Sequence, residues 1–221
     1  MTNKGLIMSL ELCWPGGEKV ERLGKKDLAR HVATYAAAKL EEINLVGRWL
    51  ATISYPMARV TMGRHVWDLS RQFKLLSDRL QELQGNLQHN YMTAHFQEAL
   101  ALVGEAQTFE ERLAGLYYTI FRYEQKIFTI HREITEPVTE WYLTQVMRDQ
   151  EELIKWGAGC LAGVIDSQEK WKRAVTMQDR ILALLAKDAD ERPKPGYNFQ
   201  FNELAIPNIP PLTPPTNAPL R

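Results

Sequence analysis

The chain has 221 residues, 27 Lys plus Arg against 27 Asp plus Glu, and is 45% hydrophobic and 24% charged. Balanced charge gives no long-range field for nucleic acid or an anionic membrane, and no apolar run reaches the roughly eighteen residues that would suggest a membrane span. Cys13 and Cys160 form no paired zinc or redox motif, so the expectation is a soluble, cytoplasmic domain without a disulfide framework.

Residues 1–24 read as an irregular N-terminal arm, interrupted by Pro15, Gly16 and Gly17, with a short strand expected at Leu6–Leu12. From Lys25 a helix is predicted to about Thr52, with Leu28, Val32, Tyr35, Ala36, Leu40, Ile43 and Val46 at three- and four-residue spacing. Ser54-Tyr55-Pro56 breaks it. Proline is tolerated in a first turn, so a second helix starts at once and runs to about Gln84. Its apolar stripe is read as Val60, Val66, Trp67, Phe73, Leu76 and Leu80.

Gly85-Asn86 opens a loop, and a shorter helix follows from Met92 to about Ala106. Thr108 and Glu111 have capping-box spacing and start a third long helix, to about Ile134. Thr135 with Pro137 restarts the chain into a fourth, to about Val164. Asp166 and Glu169 repeat the cap spacing before a final helix to about Lys187. Residues 188–221 are rich in proline and are expected to form an extended arm. Tyr197, Phe199, Phe201, Leu204 and Ile206 favour its first half lying against the helices or a partner subunit. The predicted organisation is therefore an arm (1–24), an all-α bundle (25–187) and a second arm (188–221).

Several motifs on these helices carry a resemblance. Gly63-Arg64-His65-Val66-Trp67-Asp68 precedes Leu75, Arg79, Leu80, Glu82 and Leu83. Gly47-Arg48-Trp49-Leu50 lies upstream, and Glu136-Pro137-Val138 with Asp149, Glu151, Glu152, Trp156 and Gly157 downstream. Together they resemble an uncharacterised bacterial branch of the ferritin-like superfamily over roughly residues 25–160. The resemblance implies a four-helix bundle with extra short helices. In metal-binding members, two helices each supply a Glu and two supply Glu-x-x-His, all facing inward.

This chain contains no Glu-x-x-His. Carried over by position, the ligands expected on the second helix fall on Arg71 and Gln72, those on the fourth long helix on Gln150 and Leu153, and the first-helix glutamate near Lys39. Glu41 and Glu42 lie close to it on different faces. The di-metal positions are thus degenerate, and no cofactor is expected.

The leading functional expectation is a small organic molecule bound by a metal-free bundle, among Gln72, Gln150, Leu153 and Tyr118. Such a protein is either a metal-independent biosynthetic enzyme or a binding protein. A first alternative is an oxygenase or oxidase holding iron or another divalent metal through rearranged ligands. Its candidates, also weak candidates for acid–base catalysis, are Glu124, His131, His65, Asp68, Asp149 and Glu152. His65 with Asp68, and Asp149 with Glu152, are one turn apart, while Glu124 and His131 are two turns apart. Such pairs are more often surface charges with basic neighbours. A second alternative is a scaffold whose arm docks a partner. A homodimer is expected in each case, with no nucleic-acid or membrane partner. Cys160, beside Gly157, Gly159 and Gly163, reads as a close-packing patch and not as a nucleophile.

Overall fold

The structure, a computed structural model, describes residues 23–191 (189–191 by backbone only) and residue 212. Every regular element among them is helical. The helices are α1 (Lys25–Trp49), α2 (Pro56–Glu82), α3 (Ala94–Gly104), α4 (Phe109–Arg112), α5 (Phe121–Ile134), α6 (Pro137–Val164) and α7 (Gln168–Glu191). A 3-10 turn at Leu87–His89 precedes α3, and a π-helical segment, Leu113–Ile120, joins α4 to α5 without a break.

The starts and stops follow local chemistry. Proline opens both α2 and α6, where its missing N–H is harmless and its fixed φ fits a first turn. Thr108 and Glu111 form the predicted capping box. Glu136 caps α6 by accepting from the N–H groups of Val138 and Thr139. Gln84, just past α2, has a φ of 58°, and the N–H of Gly85 closes the helix end on the Leu80 carbonyl.

Paired contacts fix the direction of each helix. Between α1 and α5 they run His31–His131, Tyr35–Phe128 and Lys39–Glu124, so the two are antiparallel. Between α2 and α6 they run His65–Trp156, Arg71–Asp149 and Arg79–Thr139, again antiparallel. Gln125 of α5 donates to the Met147 carbonyl of α6, placing those two side by side. The shared interior holds Val32, Tyr35, Leu69, Leu76, Tyr117, Phe121, Phe128, Val146 and Leu153. Helix α7 covers α3 and the π segment. Its Asp188 is fully buried and accepts from the hydroxyls of Tyr123 and Thr93.

Three sequence expectations change. The inward stripe of α2 is Met62, His65, Leu69, Gln72, Leu76 and Arg79. Val60 and Trp67 instead point outward, at 69% and 61% exposure; they sit on the opposite side of the 3.6-residue period from Leu69 and Leu76. Leu40 of α1 is likewise exposed, and its place inside is taken by the neighbouring Lys39. Helix α7 runs four residues past the expected Lys187, to Glu191, and Asp188 in that extension accepts from Tyr123 of α5 and from Thr93, the N-cap of α3.

The glycine patch narrows to a single position. A Cβ on Gly157 would lie 2.2 Å from the Tyr117 Cβ, whereas Gly159 and Gly163 face open space. Only glycine at 157 lets α6 approach the π segment this closely. The strand expected at Leu6–Leu12 lies outside the described residues. So does the proline-rich arm except Leu212, whose N–H donates to Gln178 of α7 while its side chain packs on the core.

Candidate functional site

Charge lies at the centre of these helices. Lys39 and Glu42 are both fully buried and lie one turn apart on the inner face of α1, which brings their side chains to one level. The Lys39 Nζ donates to Glu42 Oε2 at 2.8 Å and to Glu124 Oε2 of α5 at 2.5 Å. Gln150 Nε2 of α6 donates to the same Glu124 oxygen at 2.6 Å. The Phe121 and Phe128 rings flank the ammonium, with centroids 5.2 and 5.6 Å from Nζ.

Gln72 joins this level from α2. It follows Arg71, which pairs with Asp149, so the antiparallel register runs Gln72 past Arg148, within a turn of Gln150; seven residues after His65, which meets Tyr117, it reaches the height of Glu124, seven residues after Tyr117. Both amides are fully buried, and Leu153 lies one turn beyond Gln150, also buried.

Hydrogen bonding at this centre is incomplete. Neither amide atom of Gln72 has a partner, and neither do Gln150 Oε1 and Glu42 Oε1. Tyr35 OH, one turn before Lys39, is also unpartnered. A buried polar atom left unpaired costs about 1–3 kcal/mol, so several at one level is an expensive arrangement for a folded core. Beside Glu124 lies a void of about 10 Å³ reaching Tyr35, Phe96 and Phe128, near the smallest size that holds a single water.

Burial alone would push the Lys39 ammonium down in pKa, yet Glu124 and Glu42 outweigh it and hold it above its usual value. Burial, then repulsion from Glu124, pushes the Glu42 carboxyl well above the carboxylate range despite Lys39. These shifts favour a charged ammonium and bias the neighbouring Glu42 toward its protonated form. Lys39 is therefore no amine nucleophile here; it is a fixed cation.

A second, neutral cluster adjoins it. Tyr117 OH lies 3.0 Å from His65 Nδ1, and the Trp156 ring stands edge-on to His65 at 4.6 Å. Burial, with a contribution from Arg64, lowers His65 to about 4. Burial, followed by the charges of Cys160 and Glu42, raises the Tyr117 phenol well above its usual value. Neutral imidazole accepting from phenol is the arrangement these shifts favour. Tyr117 sits in the π segment, where Thr119 Oγ1 returns a hydrogen bond to the Ala114 carbonyl. Such wide turns recur at functional sites.

The other sequence candidates scatter. Asp68 is half-buried near Arg64, and Asp149 is bound by Arg71 at 2.5 Å. Glu152 is exposed and pairs with Lys155. His131 packs against His31 with the rings tilted by 58° and centroids 4.4 Å apart. Tyr118 lies at the periphery under the Arg122 guanidinium. Glu124 alone of the six metal candidates reaches the Lys39 centre. Among the described residues no three His, Cys, Asp or Glu side chains are grouped to hold a metal ion. The donor set does not fit a di-metal centre, because an ammonium stands between its two carboxylates.

Sequence reasoning reached Gln72, Gln150 and Glu124 but not the pairing of Lys39 with Glu42. A signal was present: Val32, Tyr35, Lys39, Glu42 and Val46 continue one helical stripe at three- and four-residue spacing. Compared with known proteins, the chain matches no family model, no curated protein and no solved structure.

Proposed function

We propose that this chain is a metal-independent bundle protein of ferritin-like type that binds a small polar organic molecule at the Lys39–Glu42–Glu124–Gln150–Gln72 centre. One observation carries the reading: unpaired polar atoms of Gln72, Gln150 and Glu42 at one buried level. A guest with hydrogen-bond donors and an acceptor would complete them, whereas a purely structural core has no reason to retain them. The void beside Glu124 is smaller than any organic molecule, so binding requires local opening. With Glu42 biased toward its protonated form beside a fixed ammonium, the centre would hold a polar guest and could exchange a proton with it. The same constellation suits either an enzyme or a binding protein.

The test is a thermal-shift titration with acetamide, formamide and acetate, alongside metal analysis after anaerobic loading with Fe(II). The reading expects a saturable rise in melting temperature with at least one of the three probes, and no stoichiometric iron. Two tightly held metal ions per chain, or no response to any probe, would contradict it.

A further inference from the structure

The same centre has a cation of its own. Two carboxylates from different helices converge on the Lys39 Nζ, at 2.8 and 2.5 Å. On two of the side chains in this group Glu42 Oε1 and Gln150 Oε1 are unpaired, and so is the carboxamide of the buried Gln72 on α2. Carboxylate and amide oxygens in a buried cage are hard donors, the set that takes hydrated-type divalent cations such as Mg²⁺ and Mn²⁺.

We infer that this is a cation site occupied by the chain's own ammonium: Lys39 Nζ stands where a small hard cation would otherwise sit. Three observations support it independently of any organic guest. Lys39 is fully buried, although lysine almost never is unless paired. It reaches two carboxylates at once and finds aromatic faces on its flanks. The ammonium meets only two of the oxygens in this group, and Glu42 Oε1, Gln150 Oε1 and the Gln72 carboxamide stay unpaired, as members of a larger coordination set would. A tethered cation predicts that the natural chain ignores both added metal and chelators. The lysine is held by its own backbone, so no soluble ion competes at equal effective concentration.

The inference deepens the reading of this centre but fails separately from it, because its probe is an inorganic ion in a variant that lacks the lysine. The experiment titrates Mn(II), and separately methylammonium, into the full-length wild type, Lys39→Ala and Lys39→Met. Binding is read by electron paramagnetic resonance of free Mn(II), and folding by circular dichroism. Lys39→Ala is expected to take up a single Mn(II) per chain saturably and to gain thermal stability from Mn(II) or methylammonium. Wild type, and Lys39→Met, whose side chain refills the space without charge, should show neither effect. Adding Glu124→Gln to Lys39→Ala should abolish the uptake. Should Lys39→Ala unfold, its refolding in the presence of either cation replaces the titration. Failure of both cations to bind or to recover the fold overturns the inference, as does equal Mn(II) uptake by wild type.

Discussion

Two buried charge clusters in this protein contrast with each other. Near the C-terminal end of α2, Arg79 donates to Thr139 at 2.8 Å, to Glu82 at 2.6 Å and to Glu136 at 2.5 Å. Glu136 in turn caps α6, and Tyr142 donates to Glu82. Each face of the guanidinium is used, and Glu82 remains in contact with water. At the Lys39 centre, by contrast, both partners are sealed from solvent while several polar atoms nearby stay unpaired. An ion cluster built to hold helices together is complete and vented to solvent. One that is closed and incomplete is what the proposed binding centre requires.

The contrast is broken most strongly by removing each cation. Lys39→Ala should cost about 3–5 kcal/mol in urea unfolding, because it leaves the buried Glu124 carboxylate without its cation and Glu42 without a donor. Arg79→Met should cost less, about 1–3 kcal/mol, since Glu82 and Glu136 can turn to water. Equal losses would mean that the two clusters do the same structural job.

His65 gives an effect of intermediate size and a definite sign. Its folded pKa of about 4 lies below the unfolded value of 6.5, so the unfolded chain binds the extra proton between them. The stability that His65 contributes as a neutral group is therefore complete above pH 6.5 and is lost as pH falls toward 4. The loss reaches roughly 3 kcal/mol at most. Glu42, raised in the folded state, acts in the opposite sense: what it contributes is present at low pH and is lost as pH rises. The informative quantity is thus the difference between wild type and His65→Gln, in which Glu42 cancels. That difference should narrow steadily from pH 7 to pH 4.5, and a pH-independent gap would refute the assignment of a neutral, buried imidazole.

The helices were legible because their ends are written in local chemistry: Pro56, Pro137 and the Thr108–Glu111 box act within one turn, where no distant partner can override them. The inner faces were less so. Periodicity assigns apolar residues inward, and it therefore placed Leu40, Val60 and Trp67 in the core while leaving Lys39 and Glu42 outside it. Only the partner on α5, Glu124, eighty-five positions away in sequence, makes a buried lysine affordable, and no local pattern reports such a partner. The π segment was hidden for a related reason. Its wide turns are set by the contact of Tyr117 with Gly157 and by Thr119 bonding back to Ala114, whereas its composition reads as ordinary helix. Arg79 escaped notice as a cluster because its three acceptors lie on two helices.

The smallest effect sharpens the comparison most. Gln72→Leu replaces an unpaired amide by an apolar side chain of similar volume, so the empty protein should gain about 1–2 kcal/mol. The most direct measurement is native mass spectrometry of wild type and Gln72→Leu, each purified without denaturation, together with their unfolding free energies. The account predicts a small organic adduct on wild type that Gln72→Leu does not retain, and greater stability of the variant once the adduct is removed. An adduct-free wild type with a less stable Gln72→Leu would contradict it, and would make the Lys39 centre a packing feature like the one at Arg79.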